Sequence, residues 1–101
     1  PLKDFKKIIS FAKEFAKNNN SNFYFVYLPE FDRYKLKNYQ NYQKNEVKKI
    51  IEELNIDFID IDKEVFLKEN SPLKLFPFQS RGHYNELGYE KIAELISKKL
   101  K

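Results

Sequence analysis

The 101-residue chain contains no cysteine, methionine or tryptophan, only one histidine, two glycines and four prolines. Each scarcity excludes something. Without cysteine there is no disulfide framework and no thiolate metal site, and the redox compartment is left open. With a single histidine and no cysteine, a metal would need an all-carboxylate loop, and none is present, so neither a metal nor a cofactor is expected. No glycine-rich phosphate cradle appears. No apolar run approaches the roughly 20 residues that span a bilayer, so no transmembrane segment is expected in this chain. Nor is there an excess of one charge sign in any block: 19 basic and 15 acidic side chains leave a net charge of +4, and the signs are interleaved, which hardly constrains partners. Without methionine the chain has no initiator of its own. We therefore expect it to derive from a longer polypeptide whose targeting region, if any, lies ahead of Pro1.

What is present is apolar and aromatic. Apolar residues make up 42% of the chain and aromatic residues 17%, enough for one packed core and against disorder. No repeat, low-complexity linker or internal boundary is visible, so residues 1–101 read as one α/β domain.

Periodicity supplies the elements. Phe5, Ile8, Ile9, Ala12, Phe15 and Ala16 recur at helical spacing until the run Asn18-Asn19-Asn20-Ser21-Asn22 interrupts them. Phe23 to Leu28 is a continuous apolar run closed by Pro29, which predicts a strand buried on both faces. Val47, Ile50, Ile51 and Leu54 predict a helix over 44–54 ended by Asn55, and residues 57–61 predict a second strand, parallel to the first through a right-handed crossover. Asp62 is placed to cap a short helix through Lys68, and Asn70-Ser71-Pro72 to end it. Two parallel strands make a marginal sheet, so further strands from upstream are expected to complete it.

The stretch from Glu30 to Gln43 alternates Phe31, Tyr34, Tyr39 and Tyr42 with Arg33, Lys35 and Lys37. It follows the carboxyl end of the first strand, where open α/β sheets bind ligands, so it can wall a substrate pocket; equally, its aromatics can pack down on the sheet. Aromatics among lysines also suit single-stranded nucleic acid, but phosphate tracking favours a concentrated basic stripe, and the mixed signs on the next helix argue against a nucleic-acid partner.

The sharpest feature is the lone His83, in a loop that leads into a helix ending at Leu100. A neutral imidazole can accept a proton near neutral pH and so serve as a general base. Asn85 suits the N-cap, and Glu86 suits the positive end of the helix dipole. Gly88, in the first turn, permits close approach to a neighbouring strand or loop. Tyr89, Ile92, Ala93, Ile96 and Leu100 form the expected apolar stripe. Arg81 can bind an anionic substrate group or simply be a solvated loop charge, and Tyr84 and Phe78 read as packing residues rather than chemical ones.

His83-Tyr84-Asn85-Glu86-Leu87-Gly88-Tyr89, followed by Ile92-Ala93 and Ile96, resembles the last conserved block of the SGNH/GDSL hydrolases. In that family a catalytic histidine is followed by Asn, then Gly-Tyr, then a helix. The resemblance implies a flavodoxin-like (SGNH-type) α/β fold, a parallel sheet flanked by helices, of which this chain is the C-terminal half. It also implies that His83 activates a serine for attack on an ester and then protonates the leaving alcohol. The implied substrate is a small-molecule or carbohydrate acyl ester, and an extracytoplasmic or envelope location is compatible with the family.

Two departures stand beside the match. The family's aspartate three residues before the histidine is Ser80 here, so Asp60 and Asp62 are the acids to test, against the simpler reading that each caps a helix or ends a strand. The Gly-Asp-Ser block and the Gly-x-Asn-Asp block are absent, and none of Ser10, Ser21, Ser71, Ser80 or Ser97 sits on a glycine-flanked strand-to-helix turn. The nucleophile is therefore expected upstream, in the missing N-terminal half, and this chain alone is expected to be inactive. The competing class is a non-catalytic α/β binding or interaction module that retains the scaffold.

Overall fold

The computed structural model describes residues 1–100. In chain order it comprises helix α1 (Leu2–Asn18), strand β1 (Tyr24–Tyr27), the short helix α2 (Asp32–Lys35), helix α3 (Tyr42–Glu53), strand β2 (Asp57–Asp60), the single turn α4 (Ile61–Glu64), 3-10 turns at Phe66–Lys68, Pro72–Leu75 and Pro77–Gln79, and helix α5 (Glu86–Lys99). The class is mixed α/β, with β1 and β2 parallel in a two-stranded sheet. No helix among the described residues is long and apolar enough to cross a membrane. The chain divides into two compact units, Pro1–Val26 with Asn41–Phe58, and Tyr27–Gln40 with Ile59–Lys101.

In the first unit the punctuation expected from asparagine is realised. Asn20 and Asn55 take left-handed backbone at φ 55° and 57°, the conformation that stops a helix and that asparagine tolerates better than most residues. Ring packing joins helix to strand: Phe5 meets Phe25 edge-on at 6.0 Å, and Phe25 stacks on Phe58 at 5.7 Å. Lys48 of α3 stands 6.0 Å over the Phe58 ring. α1 and α3 are tied by an ion pair of Lys6 with Glu53 at 3.6 Å and by the Lys13 ammonium, which donates to the Leu54 carbonyl.

Burial in this unit is thin. Ile51 is fully buried and Ile56 nearly so, but α1 has no buried residue at all. Phe5, Ile9, Ala12 and Ala16 are half-buried, whereas Ile8 and Phe15, which share their expected stripe, lie 67% and 64% exposed. All four residues of β1 are only half-buried. The expectation of a strand covered on both faces is thus not met, because among the described residues β1 has a single neighbouring strand.

The second unit is dense. Ile61, Phe66 and Leu75 are fully buried and Phe76 almost so. Tyr34 stacks on Phe66 at 5.3 Å with the planes 2° apart, Phe31 meets Phe76 edge-on at 5.3 Å, and the Tyr84 ring lies 5.2 Å from Phe66 and 5.3 Å from Phe76. Each such aromatic contributes roughly 1.5–3 kcal/mol by burial. Of the two readings of the segment after β1, packing therefore holds for Phe31 and Tyr34.

The cap expected at Asp62 is instead at Asp60, whose carboxylate accepts from the Lys63 amide at 3.0 Å and starts α4. Asp62 lies within that turn and is buried. The helix expected through Lys68 is one α-turn followed by a 3-10 turn.

The α5 stripe is rotated from expectation. Gly88 and Ile92 are buried and Leu95 and Ile96 half-buried, while Tyr89 and Leu100 are each 51% exposed and Ala93 is exposed. Gly88 sets this register: a β-carbon there would lie 2.8 Å from the Leu75 carbonyl oxygen and 3.0 Å from the Tyr84 β-carbon. Only glycine lets the helix come this close, and the residues a turn below it are drawn into the same face.

Candidate functional site

The residues around His83 are held by two anchors. Asn85 is the first: its side-chain oxygen accepts from the Gly88 amide at 2.9 Å, its amide nitrogen donates to the Lys74 carbonyl at 2.7 Å and the Phe76 carbonyl at 3.4 Å, and its backbone amide donates to the Leu75 carbonyl at 2.8 Å. One side chain thus caps α5 and ties its entrance to the Pro72–Leu75 turn. The expected N-cap is present, and it does more than cap. Tyr84 is the second anchor: its hydroxyl donates to the Pro29 carbonyl, just past the carboxyl end of β1. Burial raises its pKa well above the tyrosine range, so it stays a neutral donor.

His83 stands between these anchors and is itself exposed. It makes no hydrogen bond or ion pair among the described residues. Gly82 before it has φ 146°, a backbone that other residues rarely adopt, with open space around its α-carbon. The chain thus turns sharply at Gly82, presents the imidazole, and is fixed again at Tyr84 and Asn85.

The other residues singled out from sequence are engaged elsewhere. Arg81 pairs with Asp32 and lies 5.9 Å over the Phe31 ring, although its side chain remains 72% exposed. The Ser80 hydroxyl donates to the Phe78 carbonyl at 3.3 Å. Phe78, expected to pack, is 99% exposed, because Phe78 and Gln79 both take left-handed backbone at φ 52° and turn the ring outward. The five-residue offset that puts it beside the core in sequence does not survive that turn.

Asp60 and Asp62 divide between the readings offered for them. Asp60 is a helix cap. Asp62 is the centre of a buried polar cluster that sequence reasoning missed. The Tyr34 hydroxyl donates to its carboxylate at 2.6 Å, and Arg33 lies 3.8 Å away, the Arg33 and Asp62 side chains being 7% and 5% exposed. Arg33 also donates to the Tyr27 hydroxyl at 2.6 Å, pairs with Glu30 at 3.3 Å, and is covered by the Tyr39 ring at 4.7 Å. Burial and the bond to Asp62 push the Tyr34 pKa far up, and burial with a bond to Glu30 takes Tyr39 to about 12. These hydroxyls are fixed donors, not bases. The cluster is compensated charge held inside the fold, which organises the segment after β1. The signal for it was an Arg-Tyr pair just past one strand and an acid flanked by isoleucine and lysine just past the other, with nothing local to join them.

Among the described residues no group of three or more histidines and carboxylates is placed to hold a metal ion. Comparisons with protein-family models, with characterised proteins and with solved structures found no match for the chain.

Proposed function

We propose that this chain is the C-terminal part of an SGNH-type serine ester hydrolase or acyltransferase of flavodoxin-like α/β fold, and that His83 is its general base. One observation carries the reading: Tyr84, Asn85 and Gly88 lock the chain on both sides of an exposed, unengaged imidazole next to the segment that leaves the carboxyl end of β1. That edge is where open α/β sheets assemble sites. A structural loop histidine has no need of a strained glycine before it and two side-chain anchors after it.

In the proposed reaction the imidazole takes the proton of a serine hydroxyl supplied by polypeptide outside this chain. The alkoxide attacks the ester carbonyl, and the imidazolium then protonates the leaving alcohol; water or an acceptor hydroxyl repeats the sequence on the acyl-enzyme. Ser80 cannot neutralise an imidazolium, and Asp60 and Asp62 have other partners, so His83 works with the serine as a dyad or takes its acid from the same outside polypeptide. Arg81 is the residue for an anionic substrate group, which would have to compete with Asp32.

The test is ester hydrolysis by the longer polypeptide that contains this chain. His83→Ala is expected to lower kcat/KM by about 10³-fold or more with the fold unchanged. Hydrolysis unaffected by His83→Ala, or no hydrolysis by the longer polypeptide, contradicts the reading. The lack of a carboxylate at His83 favours the second class, a binding module, in which ligand affinity survives His83→Ala.

A further inference from the structure

We infer that the open edge of β1 receives a further parallel strand, from the polypeptide preceding α1, and that the exposed side of α1 covers it. The argument lies entirely within the first unit. Going around α1, one flank meets α3 through Lys6 and Lys13, and the next meets β1 through Phe5 on Phe25. α3 in turn stands over β2, by Lys48 on Phe58. The flank of α1 that remains, carrying Ile8, Phe11 and Phe15 at 67%, 75% and 64% exposure, therefore points to the side of β1 away from β2.

β1 on that side has no neighbour among the described residues, and all its side chains are only half-buried. An open row of backbone donors and acceptors under three exposed apolar side chains fits a β-strand, whose edge pairs with β1 while its side chains meet the stripe. The occupant follows from connection geometry. α3 leads into β2 and packs over the sheet on the side from which its chain came, from β1. α1 leads into β1 in the same way, so it is the crossover helix of a preceding strand, parallel to β1 by the right-handed rule. An antiparallel strand of a second copy would leave α1 without its place in such a unit.

The inference shares with the proposed function the premise of a longer polypeptide, but its test reads no chemistry. Hydrogen exchange is compared between the 101-residue chain and the longer polypeptide. The β1 amides that face away from β2 are expected to exchange on the order of 100-fold more slowly in the longer polypeptide, since their opening then requires unfolding of the sheet. Phe11→Lys with Phe15→Lys is expected to reverse that protection and to leave the helical circular dichroism of the 101-residue chain unchanged. Equal exchange in both proteins overturns the inference. So does protection in the 101-residue chain that rises with its own concentration, which would make a second copy the occupant, or a coding sequence with no strand-length apolar segment ahead of Pro1. A longer polypeptide that protects β1 but hydrolyses no ester refutes only the proposed function; one that hydrolyses esters with β1 still open refutes only this inference.

Discussion

The two units of this chain solve the same problem to different degrees. In the second, short turns of one or two windings enclose Phe66, Phe76, Leu75 and Ile61 and compensate a buried Arg33 with carboxylates. In the first, a helix of 17 residues and an apolar strand contribute no fully buried side chain of their own. Regular secondary structure is thus no measure of completeness: the irregular unit has a finished interior, and the regular one leaves an apolar face open. Long elements carry wide apolar arcs that need partners on several sides, whereas short turns wrap what is already there.

That contrast is sharpest by substitution. Phe66→Ala empties a fully buried site between Tyr34, Phe76 and Tyr84 and is expected to cost about 3–5 kcal/mol in chemical denaturation. Phe11→Ala, at 75% exposure, is expected to stay within about 0.5 kcal/mol in the same 101-residue chain. Similar losses at the two phenylalanines would erase the distinction. Asp62→Ala ranks beside Phe66→Ala, at about 3–5 kcal/mol, since it leaves Arg33 buried with less compensation.

Smaller effects separate the parts of the candidate site. Gly88→Ala drives a methyl group against the Leu75 carbonyl and is expected to cost about 1–3 kcal/mol, with a shift of amide resonances in the Pro72–Leu75 turn as the check. Resonances confined to α5 would show that the contact does not hold the turn.

The smallest effect is a dependence on pH. The bonds from Lys74 and Lys91, at 3.0 and 3.1 Å, hold the Glu69 carboxyl below its ordinary pKa. Its contribution is complete above the unfolded value near about 4.3 and is lost as pH falls through the lower folded value. Glu69→Gln is expected to flatten that acid limb of the stability profile and to lower stability by about 1 kcal/mol at neutral pH. A limb of unchanged steepness would assign it to other carboxylates.

How much of this was legible in the sequence follows the range of the interactions. The order of helices and strands was readable because asparagine runs and left-handed Asn55 punctuate it locally. Asn85 and Gly88 were readable as cap and close approach, since both act on the turn they begin. Asp60 and Asp62 were not separable, because both stand at the start of the same turn and only Arg33 and Tyr34, from a distant segment, decide which one is buried. The face of α5 was misread because a contact at Gly88, not the commonest apolar spacing, sets its rotation. The outward Phe78 was misread because its left-handed backbone has no glycine to announce it.

The most direct measurement is to treat the longer polypeptide with a serine-directed fluorophosphonate and locate the label by mass spectrometry. The account predicts one labelled serine outside residues 1–101, with labelling abolished by His83→Ala. Absence of label, label on Ser10, Ser21, Ser71, Ser80 or Ser97, or labelling that persists in His83→Ala would contradict it.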